Sequence, residues 1–300
     1  MSQGDSLPPT PVLFGVKSED DQETLLVVPG LAGVGAERWW RLCARDGADF
    51  GPLKAHPELV SLLAARTAPQ KAYVRANMAM PTLTMAACLY GFGSAWAAVV
   101  AFHLISCILM PSAYVVACAG LDGAARLYAA FFVDLRSQLT WGAFYFVWVG
   151  AVGLLLYRAL RDFVPPDTTP LIELGITPDP TTLLLFSLYF SVVNPVLEEL
   201  FWRGFLSLVL GAGERHLLAA SAAYALYHGL VLLAIGIDPA VAAALVVGLG
   251  LVGRVMSEMY RRTGLASGVL AHMAGDIVVV MALLDWYYSW LQRRRVLEGG

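Results

Sequence analysis

Residues 77–121, NMAMPTLTMAACLYGFGSAWAAVVAFHLISCILMPSAYVVACAGL, run without a charged side chain unless His103 is protonated. A helix crosses the hydrocarbon core of a bilayer in about 20 residues, so this run reads as two tightly connected spans. Charge returns with Asp122, Arg126, Asp134 and Arg136, which predicts a loop with an amphipathic middle over 122–138; Leu139–Tyr157 then forms the next span. After a Pro- and Asp-rich connection, 158–180, apolar segments recur at 181–210, 215–237, 239–256 and 264–284. The fold expected is all-α, a polytopic transmembrane helix bundle of about seven to eight spans, with a small N-terminal cytosolic segment.

Composition agrees. The chain is 58% hydrophobic and 14% charged, whereas soluble domains average roughly half apolar and about a quarter charged. Mean hydropathy is +0.65. A net charge of −3 supplies no basic field, so nucleic acid is not an expected partner. Cys43, Cys88, Cys107 and Cys118 show no metal-ligand spacing, and the last three sit in apolar stretches as small hydrophobes.

Residues 1–76 form the expected N-terminal segment, acidic and Pro-containing at its start, without the basic onset and apolar core of a signal peptide. It has room for a short strand and one or two amphipathic helices such as 57–66. Trp39 and Trp40 beside Arg38 and Arg41 suit a membrane interface or a small packed appendage. Residues 77–160 are read as N-terminal transmembrane helices and 181–290 as the domain that carries the chemistry. Lys71 and Arg75 ahead of the first span place the N-terminus in the cytosol of a cell (inner) membrane. Arg158 and Arg161, and Arg293 to Arg295, then fall on the wrong side, which leaves the span count open by one.

Ionisable groups at membrane depth are costly and tend to be paired or functional. The second half holds few: Glu198, Glu199, Arg203, His228, Arg254, Glu258, His272 and Asp276. Glu199 and Arg203 stand at the i, i+4 spacing of a helical salt bridge. Glu198 points about 100° away and needs a partner from another helix. Tyr224 with His228, and His272 with Asp276, share helix faces at i, i+4. Three helices can thus aim Glu198, His228, His272 and Asp276 at one point. A histidine within a span also serves as a plain helix-to-helix hydrogen-bonding group, the reading adopted for His103 and His216. Arg254 with Glu258 reads as a structural pair.

The order Glu198-Glu199-x-x-x-Arg203, Tyr224-x-x-x-His228, His272-x-x-x-Asp276 on successive apolar helices resembles the CAAX protease and bacteriocin-processing family, also called the Abi family of glutamic intramembrane proteases, to which the CAAX prenyl protease 2 belongs. The resemblance covers about residues 181–285. It departs in Tyr224, where Phe is usual, and in Asp276, where the prenyl-protein peptidases carry Asn. It implies an intramembrane endopeptidase with Glu198, His228, His272 and Asp276 catalytic and Glu199, Arg203 and Tyr224 supporting. Glu198 with His228 would activate water, and His272 with Asp276 would steady the oxyanion, Asp276 by orienting His272. No cofactor is expected. Two histidines and a carboxylate can also form a hydrolytic zinc site, so zinc is the alternative. The expected partners are the lipid bilayer and a membrane-associated peptide or protein substrate. Rival readings are a catalytically silent scaffold or immunity protein and a proton-coupled transporter, which also uses intramembrane carboxylates and histidines.

Overall fold

A computed structural model of the chain describes residues 12–17, 23–28, 57–65, 67–161, 167–211 and 213–298. The chain divides into two compact units, Met1–Ala48 and Asp49–Gly300. In the first, β1 (Val12–Lys17) and β2 (Glu23–Val28) pair antiparallel, with Val12 opposite Val28 and Lys17 opposite Glu23. Their β-branched and aromatic content suits a strand. The Trp39–Trp40 pair with its flanking arginines, and Cys43, lie outside the described residues.

The second unit is helical. It runs through α1 (Pro57–Leu63), α2 (Ala68–Ala86, continued by π-helical Ala87–Gly91), α3 (Ala95–Phe131), α4 (Leu135–Leu160), α5 (Thr169–Glu173), α6 (Pro180–Leu210), α7 (Glu214–Ala234), α8 (Pro239–Thr263) and α9 (Leu265–Glu298). Among the described residues six helices, α3, α4, α6, α7, α8 and α9, are long and apolar enough to cross a membrane. That is fewer than the seven to eight expected, for two reasons. The apolar run at 77–121 divides unevenly between α2, which carries Lys71, Arg75 and Asn77 and is not among the six, and the start of α3. The expected loop at 122–138 is mostly helix. The break falls one turn earlier as a kink at Gly120 (φ 70°), and α3 continues to Phe131 before Asp134, in a left-handed conformation, opens α4.

Large apolar side chains cover the outside, among them Phe144, Val147, Leu155, Leu184 and Leu251. A surface this apolar requires hydrocarbon around it, and the chain is an integral membrane protein. Because lipid is as apolar as leucine, close helix contact depends on small residues and internal polar bonds. The α4–α9 pair shows both. A methyl group at Gly142 would fall 2.6 Å from Leu270 Cδ1, and one at Gly153 would fall 3.2 Å from Val278 Cγ2. Buried Gln138 then clips the helix ends together. Its Nε2 donates to the carbonyls of Phe131 (3.0 Å) and Val133 (2.7 Å), and its Oε1 accepts from the Ala266 N–H (2.8 Å). At the opposite end of α9, Tyr287 donates to the Ile176 carbonyl, and Trp96 Nε1 donates to the Gly175 carbonyl at 3.2 Å. Asp179 caps α6 by accepting from the Thr182 N–H at 2.9 Å, and the hydroxyls of Thr177 and Thr182 hold its carboxyl down at about 2.

Gly264 joins α8 to α9 at φ +89°, and a Cβ there would sit 2.4 Å from Gln138 Cδ. Gly264→Ala should therefore cost about 1–2 kcal/mol for the backbone alone, more with the loss of the Gln138 clip. Gly248→Ala, where a Cβ meets nothing within 4 Å, should be neutral or stabilising by up to about 1 kcal/mol. Thermal unfolding of the detergent-solubilised protein separates them: Gly264→Ala should lower the midpoint and Gly248→Ala should not.

Candidate active site

The central helix α6 is not a uniform α-helix. Its α-helical turn Asn194–Glu199 lies between the π-helical segments Tyr189–Val193 and Leu200–Leu206. Such widened turns gather at functional sites, and Pro195, which has no N–H to give, stands in the first turn after one of them. This stretch places Asn194, Glu198, Glu199 and Arg203 in the interior.

Glu199 is fully buried, and Arg203 and Glu198 are each 2% exposed. A buried charge must be paired. Glu199 Oε1 accepts from Arg203 Nη1 and from His272 Nδ1, both at 2.8 Å. Arg203 further lies 4.7 Å over the Tyr224 ring and reaches the Gly253 carbonyl at 3.5 Å. The Glu199–Arg203 link matches the helical spacing. The His272 contact was not read from the sequence, and it makes Glu199 the junction between α6 and α9. The approach is possible because residue 268 has no side chain: a Cβ there would stand 3.2 Å from Glu199 Oε2.

Glu198 turns the other way. Tyr227 of α7 donates its hydroxyl to Glu198 Oε2 at 2.6 Å, with its ring stacked on Trp202 at 6.0 Å and tilted against Phe102 at 5.1 Å. His228, next to Tyr227 and partly exposed, lies 2.8 Å through Nδ1 from the Tyr224 carbonyl. A carbonyl can only accept, so Nδ1 carries the proton and Nε2 is left with a free lone pair. On α9, His272 Nε2 is 3.6 Å from Asp276 Oδ1, and Asp276 Oδ2 accepts from Asn194 Nδ2 at 2.9 Å.

The structure thus brings Glu198, Glu199, Arg203, Tyr224, His228, His272 and Asp276 into one buried cluster. Tyr227, Asn194 and His103 are further members that the sequence reading did not assign. Asn194 was within reach of a spacing rule, one turn before Glu198. Tyr227 was not, since ideal helix geometry separates it from its neighbour His228. His103, on α3, has Nδ1 at 2.6 Å from the Tyr189 hydroxyl and lies beside Asn194. His216 is exposed. Arg254 forks onto Glu214 of α7 at 2.9 Å through both Nε and Nη2, with Glu258 at 3.7 Å, so its principal partner lies across the helix pair.

Zinc would need at least three donors converging on one point. Among the described residues no three His, Cys, Asp or Glu side chains are so placed. Glu199 is engaged by Arg203 and His272. As arranged, the donors do not fit the ion.

Residues 180–278, from the start of α6 into α9, match the family model described as type II CAAX prenyl endopeptidase Rce1-like. This segment is a CAAX-protease-family domain. No curated protein and no solved structure matches the chain. Every motif residue of the cluster falls inside the CAAX-protease segment, and His103 falls outside it.

Removing one partner of a buried ion pair strands the other, at about 3–5 kcal/mol. Arg203→Ala should therefore unfold at markedly lower temperature than wild type, and Arg203→Ala combined with Glu199→Gln should recover part of the loss. Additive losses in a double-mutant cycle of thermal unfolding would show that the Glu199–Arg203 pair does not hold this region.

Proposed function

We propose that the CAAX-protease domain is an intramembrane endopeptidase of the glutamic type, acting from a cell (inner) membrane with residues 1–76 in the cytosol, residues 77–160 as supporting spans and residues 181–290 as the catalytic domain. The observation that carries the mechanism is the His228 ring, which donates from Nδ1 to the Tyr224 carbonyl and so keeps the Nε2 lone pair, on the same helix whose Tyr227 hydroxyl holds Glu198. A carboxylate and a neutral imidazole beside one another can take a proton from water and return it to a leaving amine. The water oxygen bonds to the scissile carbonyl carbon, its proton passes to the Glu198–His228 pair, and the C–N bond breaks as that proton reaches the nitrogen. His272, fixed through Nδ1 by Glu199 and oriented at Nε2 by Asp276, faces the developing oxyanion. A donor placed there contributes about 2.7–4 kcal/mol.

The family name directs the substrate search to prenylated proteins with a CAAX terminus, membrane-associated polypeptides that the bilayer delivers to the site. The prediction is tested in proteoliposomes with a farnesylated CAAX-terminated reporter and a panel of membrane-anchored peptides. Glu198→Gln and His228→Gln should each lower kcat at least about a hundredfold, with the fold retained by circular dichroism. Wild-type rates in Glu198→Gln would rule out the glutamate as base, and gradient-driven solute flux without cleavage would favour transport. Chelation should leave cleavage unchanged. Loss that only zinc restores would replace the glutamic mechanism with a metal-assisted one.

A further inference from the structure

The three motifs account for one side of the cluster, the side that runs from Arg203 through Glu199 to His272. On the other side Asp276 is an acceptor that makes no close bond to its own helix. Its Oδ1 is 3.6 Å from His272 Nε2, so the direction of the carboxylate depends on what holds Oδ2. That group is the Asn194 amide, at 2.9 Å and buried. Asn194 lies beside His103. The His103 ring is buried, with Nδ1 on the Tyr189 hydroxyl at 2.6 Å, and its Nε2 is buried without a hydrogen-bond partner.

These contacts form a polar row across three helices: His103 on α3, Tyr189 and Asn194 on α6, Asp276 and His272 on α9. A carboxamide is suited to the middle of such a row. Its oxygen accepts and its nitrogen donates, so it can face an imidazole N–H on one side and a carboxylate on the other, which neither a carboxylate nor an ammonium can do. A buried amide bond between helices in lipid needs only some partner and averages about 0.6 kcal/mol. This row is more directed than that, because it ends on the carboxylate that stands 3.6 Å from His272 Nε2.

We propose that Asn194 and His103 are positioning residues of the peptidase site. Asn194 fixes Asp276 so that its second oxygen faces His272 Nε2, and His103, anchored on Tyr189, backs it by packing from α3. The site is then completed by a helix outside the family-matching segment. The functional consequence rests on the peptidase reading, but the placement of His272 does not, and the two are tested separately.

Placement is read by solid-state 15N NMR of histidine-labelled full-length protein in lipid vesicles, with the His272 signals identified by their loss in His272→Gln. Asn194→Ala should move the His272 Nε2 resonance and leave that of exposed His216 unmoved. His103→Phe, which fills the same space, should move it in the same direction by less. Asn194→Asp sets two carboxylates together. Adding Asp276→Asn restores an amide–carboxylate bond with its ends exchanged and should return the resonance towards wild type. An unmoved His272 signal in Asn194→Ala would overturn the proposal. If Asn194→Ala does not fold, the exchanged pair decides: a His272 signal no nearer to wild type than in Asn194→Asp alone overturns it. On any reporter that the wild type cleaves, Asn194→Ala should lower kcat about a hundredfold, the loss expected for a displacement of about 1 Å, with KM unchanged. A change in KM alone would give Asn194 a substrate-binding role and overturn positioning. Absence of all wild-type cleavage would refute the peptidase reading and leave the NMR result to stand by itself.

Discussion

The junction at Glu199 is the constraint on which the rest of the helical unit depends. One carboxylate oxygen, removed from solvent, holds an arginine of its own helix and a histidine of the last helix at 2.8 Å each. In a low-dielectric interior such a group is tolerated only when its charge is paired, and here both partners fall on Oε1, Oε2 being buried without a hydrogen-bond partner. The pairing therefore fixes the distance between α6 and α9, the orientation of the His272 ring, and the place of Arg203 against Tyr224. Gly268 suits the same contact, since a Cβ there would stand 3.2 Å from Glu199 Oε2, closer than most such contacts. Stability and site geometry are here one problem with one solution.

Lipid as solvent explains how the remaining parts are arranged. With no hydrophobic drive between helices, the bundle closes through glycine contacts on α4 and α9 and through buried side chains that satisfy backbone groups, Gln138 above all. The π-helical segments of α6 follow the same rule. Widened turns free backbone groups and shift side chains around the helix axis, and the second of them, Leu200–Leu206, is largely buried against the neighbouring helices, whereas Tyr189–Val193 keeps a face outward. The irregularity sits where the charged residues are, and those residues need placement that an ideal helix does not give.

How much of this was legible in the sequence depends on the range of each interaction. The membrane-bundle class and the last four long helices followed from apolar length alone, with starts close to those observed, whereas the last two helices run on to Thr263 and Glu298, well past their apolar cores, because charged residues continue a helix that hydropathy would end. Glu199 with Arg203 followed from i, i+4 spacing. The division of residues 77–138 did not follow, because hydropathy reports where charge returns and not whether the backbone bends. Gly120 kinks α3 where a loop was expected, and the helix continues through Asp122 and Arg126. Contacts between helices were the least legible. Nothing in the spacing assigns Tyr227 to Glu198, Glu214 to Arg254, or Asn194 to Asp276, since each is set by rotation of one packed helix against another.

Asp276 shows why the two halves of the chain belong to one site. Where an amide at the end of the third motif could itself donate to an oxyanion, an ionised carboxylate cannot, and its use is confined to directing a neighbour. A directing carboxylate must be directed in turn, or it turns towards any donor within reach. In this chain the amide that does so is Asn194, on the same face of α6 as Glu198, and behind it stands a histidine from α3. The same α3 helix lines, with α6, an apolar cavity bounded by Cys107, Ile108, Leu127, Leu197 and Leu200. On the proposed reading, Asp at position 276 calls for an amide on another helix to direct it, and Asn194 supplies that bond.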